Sequence, residues 1–334
     1  MKLEFQQLFK INFMEQTTIL TEFAQDTLVG LSAYPKYLSS KYFYDDKGSK
    51  IFQDIMRMPE YYLTDCELEI FQTQKQEIFQ DFLGSETQFE LIELGAGDGL
   101  KTKILLSHFL SQKVPFKFTP IDISAEAVNK LVDGLEKDIP GLQVNGQIGD
   151  YFHLIHDLKG NDQIRKIILF LGSNIGNFND KESFEFLSHL KNVLNPNDLV
   201  FIGFDLKKDP DIILQAYNDP HGHTTAFNLN LLHRMNNELE ANFDINNFMH
   251  QEIYNPQTGT AKSFLISLKT QEVNIHELDK SFMFNEGEMI FMEMSQKYDH
   301  EMISELSIKT GFEIVRNFND KRQYFVNSLW RLKS

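Results

Sequence analysis

The sequence predicts an α/β protein in which a doubly wound, largely parallel sheet carries a second, smaller α+β unit. Three observations support this. The apolar run Leu91-Ile92-Glu93-Leu94 enters the turn Gly95-Ala96-Gly97-Asp98-Gly99, a strand-to-helix junction of the kind that opens such sheets. From Phe89 to Asp205 strand and helix patterns alternate regularly. After Asp205 the alternation fades into helices and antiparallel strand patterns over 247–296, and the chain closes on a helix and two strands.

The 334 residues suffice for one large α/β domain and a smaller one. With 42% hydrophobic residues and 30 Phe the chain can build a substantial core, which excludes wholesale disorder. A net charge of −16 argues against an extended nucleic-acid surface, which needs clustered Lys and Arg. No apolar run reaches membrane-spanning length, and Met1 to Gln16 lacks the apolar core of a signal peptide. A cytoplasmic monomer without nucleic-acid or membrane partners is therefore expected. The one cysteine, Cys66, cannot form an internal disulfide, which fits a reducing compartment. Its neighbours Asp65 and Glu67 disfavour a thiolate, so a structural role is expected.

Residues 1 to about 30 read as a helical lead-in, with Ile19, Leu20, Phe23, Leu28 and Leu31 at roughly helical spacing and Met14 as an alternative start. Gly48-Ser49 reads as a turn and N-cap for a helix through Ile51, Phe52, Ile55 and Met56. Pro59 ends that helix, and Thr64, with Glu67 at the capping-box position, is expected to start the next. Tyrosines crowd the intervening loops, either as packing over the core or as the wall of a site. The alternation then runs strand 89–94, helix 101–112, strand 117–122, helix 124–136 and strand 142–148. A stretch of open type at 151–159, strand 166–171, helix 180–194 and strand 198–204 complete it. Asp209-Pro210-Asp211 starts a helix reaching Tyr217, and Thr224 or Thr225 is expected to cap one through Phe227 to Leu239. His221 and His223, between them, are read as turn residues, since no carboxylate or third histidine joins them at a ligand spacing. Strands at 248–254 and 261–269, the stretch 291–298, a helix near 299–310 and strands at 311–316 and 324–330 finish the chain.

The glycines after Leu94 allow a tight turn and let backbone N–H groups approach a ligand with no Cβ in the way. A dinucleotide fingerprint wants Gly-x-Gly-x-x-Gly; the pattern here, Glu93 to Gly99, is Glu-x-Gly-x-Gly-x-Gly and suits a cofactor with no pyrophosphate. S-adenosylmethionine is the candidate. Asp122, at the end of the next strand, stands at the right distance to hold ribose hydroxyls. Asp150, followed by Tyr151 and Phe152, suits an adenine amino group and ring face. Each signal alone is generic; three in order, each at a strand end, point to a cofactor site. The loop Gly172-Ser173-Asn174-Ile175-Gly176-Asn177-Phe178 should face the cofactor's reactive end, because ligands bind outside the carboxyl ends of such strands.

From about Leu31 to Leu332 the chain resembles the histidine-specific, S-adenosylmethionine-dependent N-alpha-methyltransferases of ergothioneine biosynthesis. The resemblance rests on Phe43-Tyr44-Asp45 with Gly48-Ser49, Pro59-Glu60-Tyr61-Tyr62, Glu93 to Gly97, and Phe170-Leu171-Gly172 running to Phe178. It continues through Ala226-Phe227-Asn228-Leu229-Asn230-Leu231-Leu232 and Glu293-Met294-Ser295-Gln296-Lys297. It implies a class I S-adenosylmethionine methyltransferase fold, Rossmann-like, with a methyltransferase domain of residues 1–205 and 297–334 and a smaller α+β substrate-binding domain of residues 206–296. It implies that Gly95, Gly97, Lys101, Asp122 and Asp150 contact the cofactor, and that Asn177 and Tyr217 bind the amino acid's carboxylate. Tyr44, as the catalytic tyrosine, and the Gly172 loop would sit at the α-amine with Tyr61 nearby, while Glu293 and Ser295 would receive the imidazole. Two positions depart from the family pattern: Ser263 stands where a larger apolar residue is usual near the imidazole, and Asn174 where a small hydroxyl residue is usual.

The implied reaction is transfer of three methyl groups to the α-amine of L-histidine, giving hercynine. Displacement at a sulfonium needs no metal, so alignment of a neutral amine carries most of the rate, with a tyrosine hydroxyl or water relaying the proton. One alternative is an N-methyltransferase for another aromatic or sulfur-modified, histidine-like amino acid; the retained Glu293 and Ser295 favour imidazole. Another is a non-catalytic cofactor-binding scaffold, whose signature would be loss of Asp122, Asn177 or Tyr217, all of which are present. Nucleic-acid methylation is disfavoured by charge and by the absence of an Asn-Pro-Pro-aromatic loop.

Overall fold

The computed structural model describes residues 20–155 and 164–333; the expected lead-in before Leu20, with Met14 and Ile19, and positions 156–159 of the open-typed stretch lie outside them. The chain enters through α1 (Glu22–Ser32), capped by Thr21, a short strand β1 (Lys36–Tyr37), α2 (Asp46–Met56) and the long α3 (Tyr62–Leu83). Next come β2 (Phe89–Leu94), α4 (Thr102–Ser111), β3 (Phe116–Asp122) and α5 (Ala125–Asp138). The strand expected at 142–148 is two pieces, β4 (Gln143–Val144) and β5 (Gln147–Ile148), which pair with different parts of β3; between them the Asn145 N–H donates to the Phe118 carbonyl. One helical turn, α6 (Tyr151–Leu154), precedes β6 (Arg165–Phe170), α7 (Asp180–Val193) and β7 (Leu199–Asp205).

Beyond β7 the chain forms α8 (Pro210–Tyr217) and α9 (His223–Glu238). Five strands follow: β8 (Phe248–Asn255), β9 (Thr260–Ser267), β10 (Gln271–Ile275), β11 (Lys280–Phe284) and β12 (Met289–Gln296). It ends on α10 (His300–Thr310), β13 (Phe312–Asn319) and β14 (Phe325–Leu332).

Three helix starts differ from expectation, and at two of them an aspartate takes the orphan N–H groups. Asp45, not Ser49, caps α2, accepting from the Gly48 N–H at 2.6 Å. Helix α3 begins at Tyr62, so Thr64 lies inside it and Glu67 is buried rather than part of a capping box. Asp219 accepts from the N–H groups of His223 and Thr224, which puts Thr224 within the first turn of α9.

The large sheet has eight strands in the order β13-β14-β7-β6-β2-β3-β4, with β5 on the outer end of β3. All its pairs are parallel except those of β14, which runs antiparallel to β7 and β13. Apolar side chains are buried on both faces, as near-continuous hydrophobic strands require. The chain winds outward from β2 to β3 in one direction and from β6 to β7 in the other, so a crevice opens between the ends of β2 and β6. This is the doubly wound α/β architecture that the alternation predicts.

A second sheet, β1-β12-β9-β8, and the hairpin β10–β11 stand beside it with their own core. That core joins Phe227, Leu231, Met235, Leu265 and Ile290 to Phe23, Leu31, Leu38, Phe43 and Ile55. The segment from α1 through Met58 therefore packs into the core of the second sheet. A two-residue strand paired parallel to β12 and two amphipathic helices carry no local mark of which sheet they will cover. No described helix is long and apolar enough to cross a membrane.

Candidate active site

Beyond β2 the chain turns through Gly95 and Gly97, both with φ in the left-handed region (+71° and +54°), where a side chain would be strained. The N–H groups of Gly95 and Ala96 donate to the Ile121 carbonyl, pinning the loop to the end of β3. Asp122 sits at that end, accepting from the Gly97 N–H at 2.9 Å and the Ser124 N–H at 3.0 Å. A Cβ on Gly97 would meet nothing within 4 Å, so the loop borders open space. Asp150 follows Gly149 and accepts from the Phe152 N–H. The rings of Tyr151 and Phe152 pack into an aromatic group with Phe170, Phe178 and Phe186.

The loop after β6 approaches from the other side. Gly172 and Ser173 both take positive φ, and the Ser173 Oγ accepts from the Asp205 N–H at 3.0 Å. A Cβ on Gly95 would lie 3.2 Å from the Asn174 amide, and one on Gly172 would lie 3.3 Å from the Lys101 ammonium, so the two loops nearly touch. Their common anchor is Glu67 of α3, which is fully buried. Its carboxylate pairs with Lys101 and accepts from the Gly172 N–H at 3.0 Å and the Asn327 amide at 2.7 Å. The sequence suggests only a capping-box role for this residue. Its signal is an acid within the apolar face Leu63, Cys66, Ile70 of α3, together with a glycine in a buried strand: a Cβ on Gly203 would come within 2.8 Å of the Glu67 carboxylate.

Tyr44, Tyr61, Gly172, Asn177, Tyr217, Glu293 and Ser295 all line one cleft, together with Phe52 and Phe227, which the sequence marks only as helix and motif residues and not as site residues. The cofactor candidates Gly95, Gly97, Lys101, Asp122 and Asp150 lie outside that cleft, around the crevice that adjoins it through Gly172 and Asn174. The motifs explain how the tyrosines are held. The Asn230 amide donates to the Asp45 carboxylate at 2.8 Å, and Arg234 donates to the Tyr42 carbonyl, so α9 fixes the turn carrying Tyr44. The Tyr44 ring meets Phe52 and Phe227 edge to face, and Tyr61 meets Tyr217 in the same way. Strand β12 brings Glu293 and Ser295 against the Gly172 loop, and a Cβ on Gly176 would clash with the Gln296 carbonyl at 2.8 Å.

Burial raises the Tyr44, Tyr61 and Tyr217 hydroxyls well above the ordinary tyrosine range, so all three stay neutral. Burial also pushes the Glu293 carboxyl up to about 7, against the pull of Lys297. No side chain among the described residues hydrogen-bonds that carboxyl, and it faces the cleft. Ser263 pairs in register with Glu293 on one side and Glu252 on the other, and its hydroxyl donates to Glu252. It is not a lining residue of the cleft, whereas Asn174 is. Burial pushes the Cys66 thiol up to about 12, as a structural cysteine requires.

Glu93, at the root of the glycine loop, is pushed by burial to about 8, with only the Thr102 hydroxyl on one carboxyl oxygen and none of the described residues on the other. Its folded pKa lies above the unfolded value, so its contribution to stability is complete below about 4.5 and is lost as pH rises through about 8. Glu93→Gln should therefore hold its stability between pH 5 and pH 8 better than the parent, by a few kcal/mol at the alkaline end, as read from urea unfolding at the two pH values.

A family profile described as histidine-specific methyltransferase, SAM-dependent, matches residues 23–332. A histidine N-alpha-methyltransferase of Mycobacterium tuberculosis is 33% identical over 306 residues, 91% of this chain and 93% of that protein. One of Mycolicibacterium smegmatis is 34% identical over 297 residues, covering 89% and 91%. Ergothioneine biosynthesis protein 1 of Schizosaccharomyces pombe is 28% identical over 287 residues, 84% of this chain but 37% of the longer fungal protein.

Proposed function

The chain belongs to the histidine-specific, S-adenosylmethionine-dependent methyltransferases, and on that premise we propose that it methylates the α-amine of L-histidine three times, giving hercynine for ergothioneine biosynthesis. The observation that carries the choice of acceptor is Glu293: a half-buried carboxyl left unpaired by the described residues, in one cleft with Asn177, Tyr217 and Ser295. A ligand that enters this cleft must satisfy that carboxyl, and an imidazole nitrogen can.

The residues at the crevice fit the cofactor. Open space at Gly97, the Asp122 carboxylate beside it and the Lys101 ammonium next to Gly172 offer a backbone cradle, a hydroxyl acceptor and a partner for a carboxylate. We assign Gly95, Gly97, Lys101, Asp122 and Asp150 to that role. When bound, S-adenosylmethionine supplies an electrophilic methyl group.

The chain's own residues then orient the acceptor. Asn177 and Tyr217 hold the histidine carboxylate by neutral hydrogen bonds, and Glu293 and Ser295 bond the two nitrogen edges of the ring. That leaves the α-amine toward Tyr44, Tyr61 and the Gly172 loop. Because their hydroxyls stay neutral, Tyr44 and Tyr61 serve as acceptors for amine N–H groups and not as anionic bases; they aim the nitrogen lone pair. The amine's proton leaves through these hydroxyls or water. Residues 206–296, with the segment from α1 to Met58, form the substrate-binding unit, and the large sheet forms the cofactor-binding one.

The test is purified protein, S-adenosylmethionine and a panel of free amino acids, read by mass. Histidine heavier by three methyl groups is the expected product. Unmodified histidine beside a methylated tryptophan or sulfur-bearing histidine would overturn the assignment of the acceptor. We place the protein in the cytoplasm as a monomer without nucleic-acid or membrane partners; the net charge of −16 and the single buried, unpaired cysteine support this, and light scattering checks the monomer.

A further inference from the structure

Behind the cleft lies a buried ion pair that the proposed mechanism does not use. Lys297, the last residue of the Glu293-to-Lys297 motif, is wholly buried. Its ammonium lies 2.9 Å from Asp205 Oδ2, 2.6 Å from the Tyr217 hydroxyl and 2.7 Å from Ser295 Oγ. An ammonium has three protons and no lone pair, so these three contacts use all of its donors. Asp205 balances the charge, and is itself held by Lys208 and by the Tyr62 hydroxyl at 2.8 Å.

The consequence falls on the two hydroxyls. Each is forced to accept from Lys297, which occupies a lone pair on each oxygen. They lie 3.1 Å apart, so one must donate to the other. Of the two hydroxyl protons one is then consumed between them, and one remains for the cleft. We propose that Lys297 is a positioning residue that makes Tyr217 and Ser295 a single-proton pair, so that whichever hydroxyl donates to the substrate obliges the other to accept from it.

On the reading of the substrate given above, on which this inference rests, the choice is determined. The carboxylate at Tyr217 can only accept, so the Tyr217 hydroxyl donates to it and the Ser295 hydroxyl donates to Tyr217. Ser295 is left with a lone pair for a ring N–H, and the other ring nitrogen faces Glu293. Recognition of the two ends of the amino acid is thereby coupled through one proton, which favours a ligand carrying an anion at one end and an N–H donor at the other.

A double-substitution cycle tests this. Tyr217→Phe and Ser295→Ala are each expected to raise KM for histidine by about tenfold, and the double variant by no more than about twofold beyond either single one. Lys297→Met should raise KM for histidine while leaving the S-adenosylmethionine dissociation constant within about twofold, and in that background the two hydroxyl substitutions should act independently. A merely structural role for Lys297 would lower the melting temperature and weaken both ligands alike. Effects of Tyr217→Phe and Ser295→Ala that multiply in the otherwise unaltered protein would overturn the proposal, and that arm stands even where Lys297→Met does not fold. An unaltered protein that leaves histidine unmethylated would instead sink the proposed function; the same cycle is then run by calorimetry on the amino acid that the panel identifies.

Discussion

Glu293→Ala is expected to lower kcat/KM for histidine roughly a hundredfold, the cost of one hydrogen bond to a charged group, while the S-adenosylmethionine dissociation constant stays unchanged. Glu293 stands on β12 of the second sheet, away from the crevice ringed by Gly97 and Asp122, so its loss should be felt by the acceptor alone. Steady-state kinetics with histidine and calorimetry with the cofactor separate the two. Glu293→Gln keeps the volume and one acceptor and should recover part of the loss; an equal fall in cofactor affinity would show that the substitution has disturbed the loop after β6 and not only the ring contact. Because the carboxyl has no partner among the described residues, truncation leaves no protein group newly unpaired, and the fall in kcat/KM reports the ligand contact directly.

The largest effect on stability is expected at Glu67. Glu67→Ala should reduce the unfolding free energy by about 3–5 kcal/mol, the usual result of removing one partner of a buried ion pair. The substitution strands the Lys101 ammonium, the Gly172 N–H and the Asn327 amide at once, beneath the point where the loops after β2 and β6 meet. Urea unfolding measures the loss. Glu67→Gln should lose less, because an amide oxygen still accepts from Gly172 or Asn327 but cannot pair with Lys101 as an anion. A loss below about 1 kcal/mol would mean that water replaces the carboxylate without penalty and that the two loops do not depend on it.

Local features legible in the sequence correspond to local physics. The run Phe89–Leu94 could be only a buried strand, and the alternate glycines after it could be only a turn with positive φ. Asp122 at the next strand end follows from the same βα rhythm. The tyrosine motifs and the Glu293-to-Lys297 stretch were visible as a family resemblance, which named the residues of the cleft without showing why they meet.

What the sequence by itself determined was the order of the elements, the doubly wound sheet and the place of the glycine loop, because apolar period, turn chemistry and strand ends are properties of neighbours in the chain. What only the tertiary structure decided was which distant segments share a core and which buried polar groups share a proton. The segment before Met58 joined the second sheet because β1 pairs with β12 and α2 packs on α9. Glu67 left its expected capping position because Lys101, Gly172 and Asn327 converge on it from three other elements. Lys297 became the hub of Asp205, Tyr217 and Ser295 for the same reason: a buried charge must find its partners, and those partners are set by packing, not by distance along the chain.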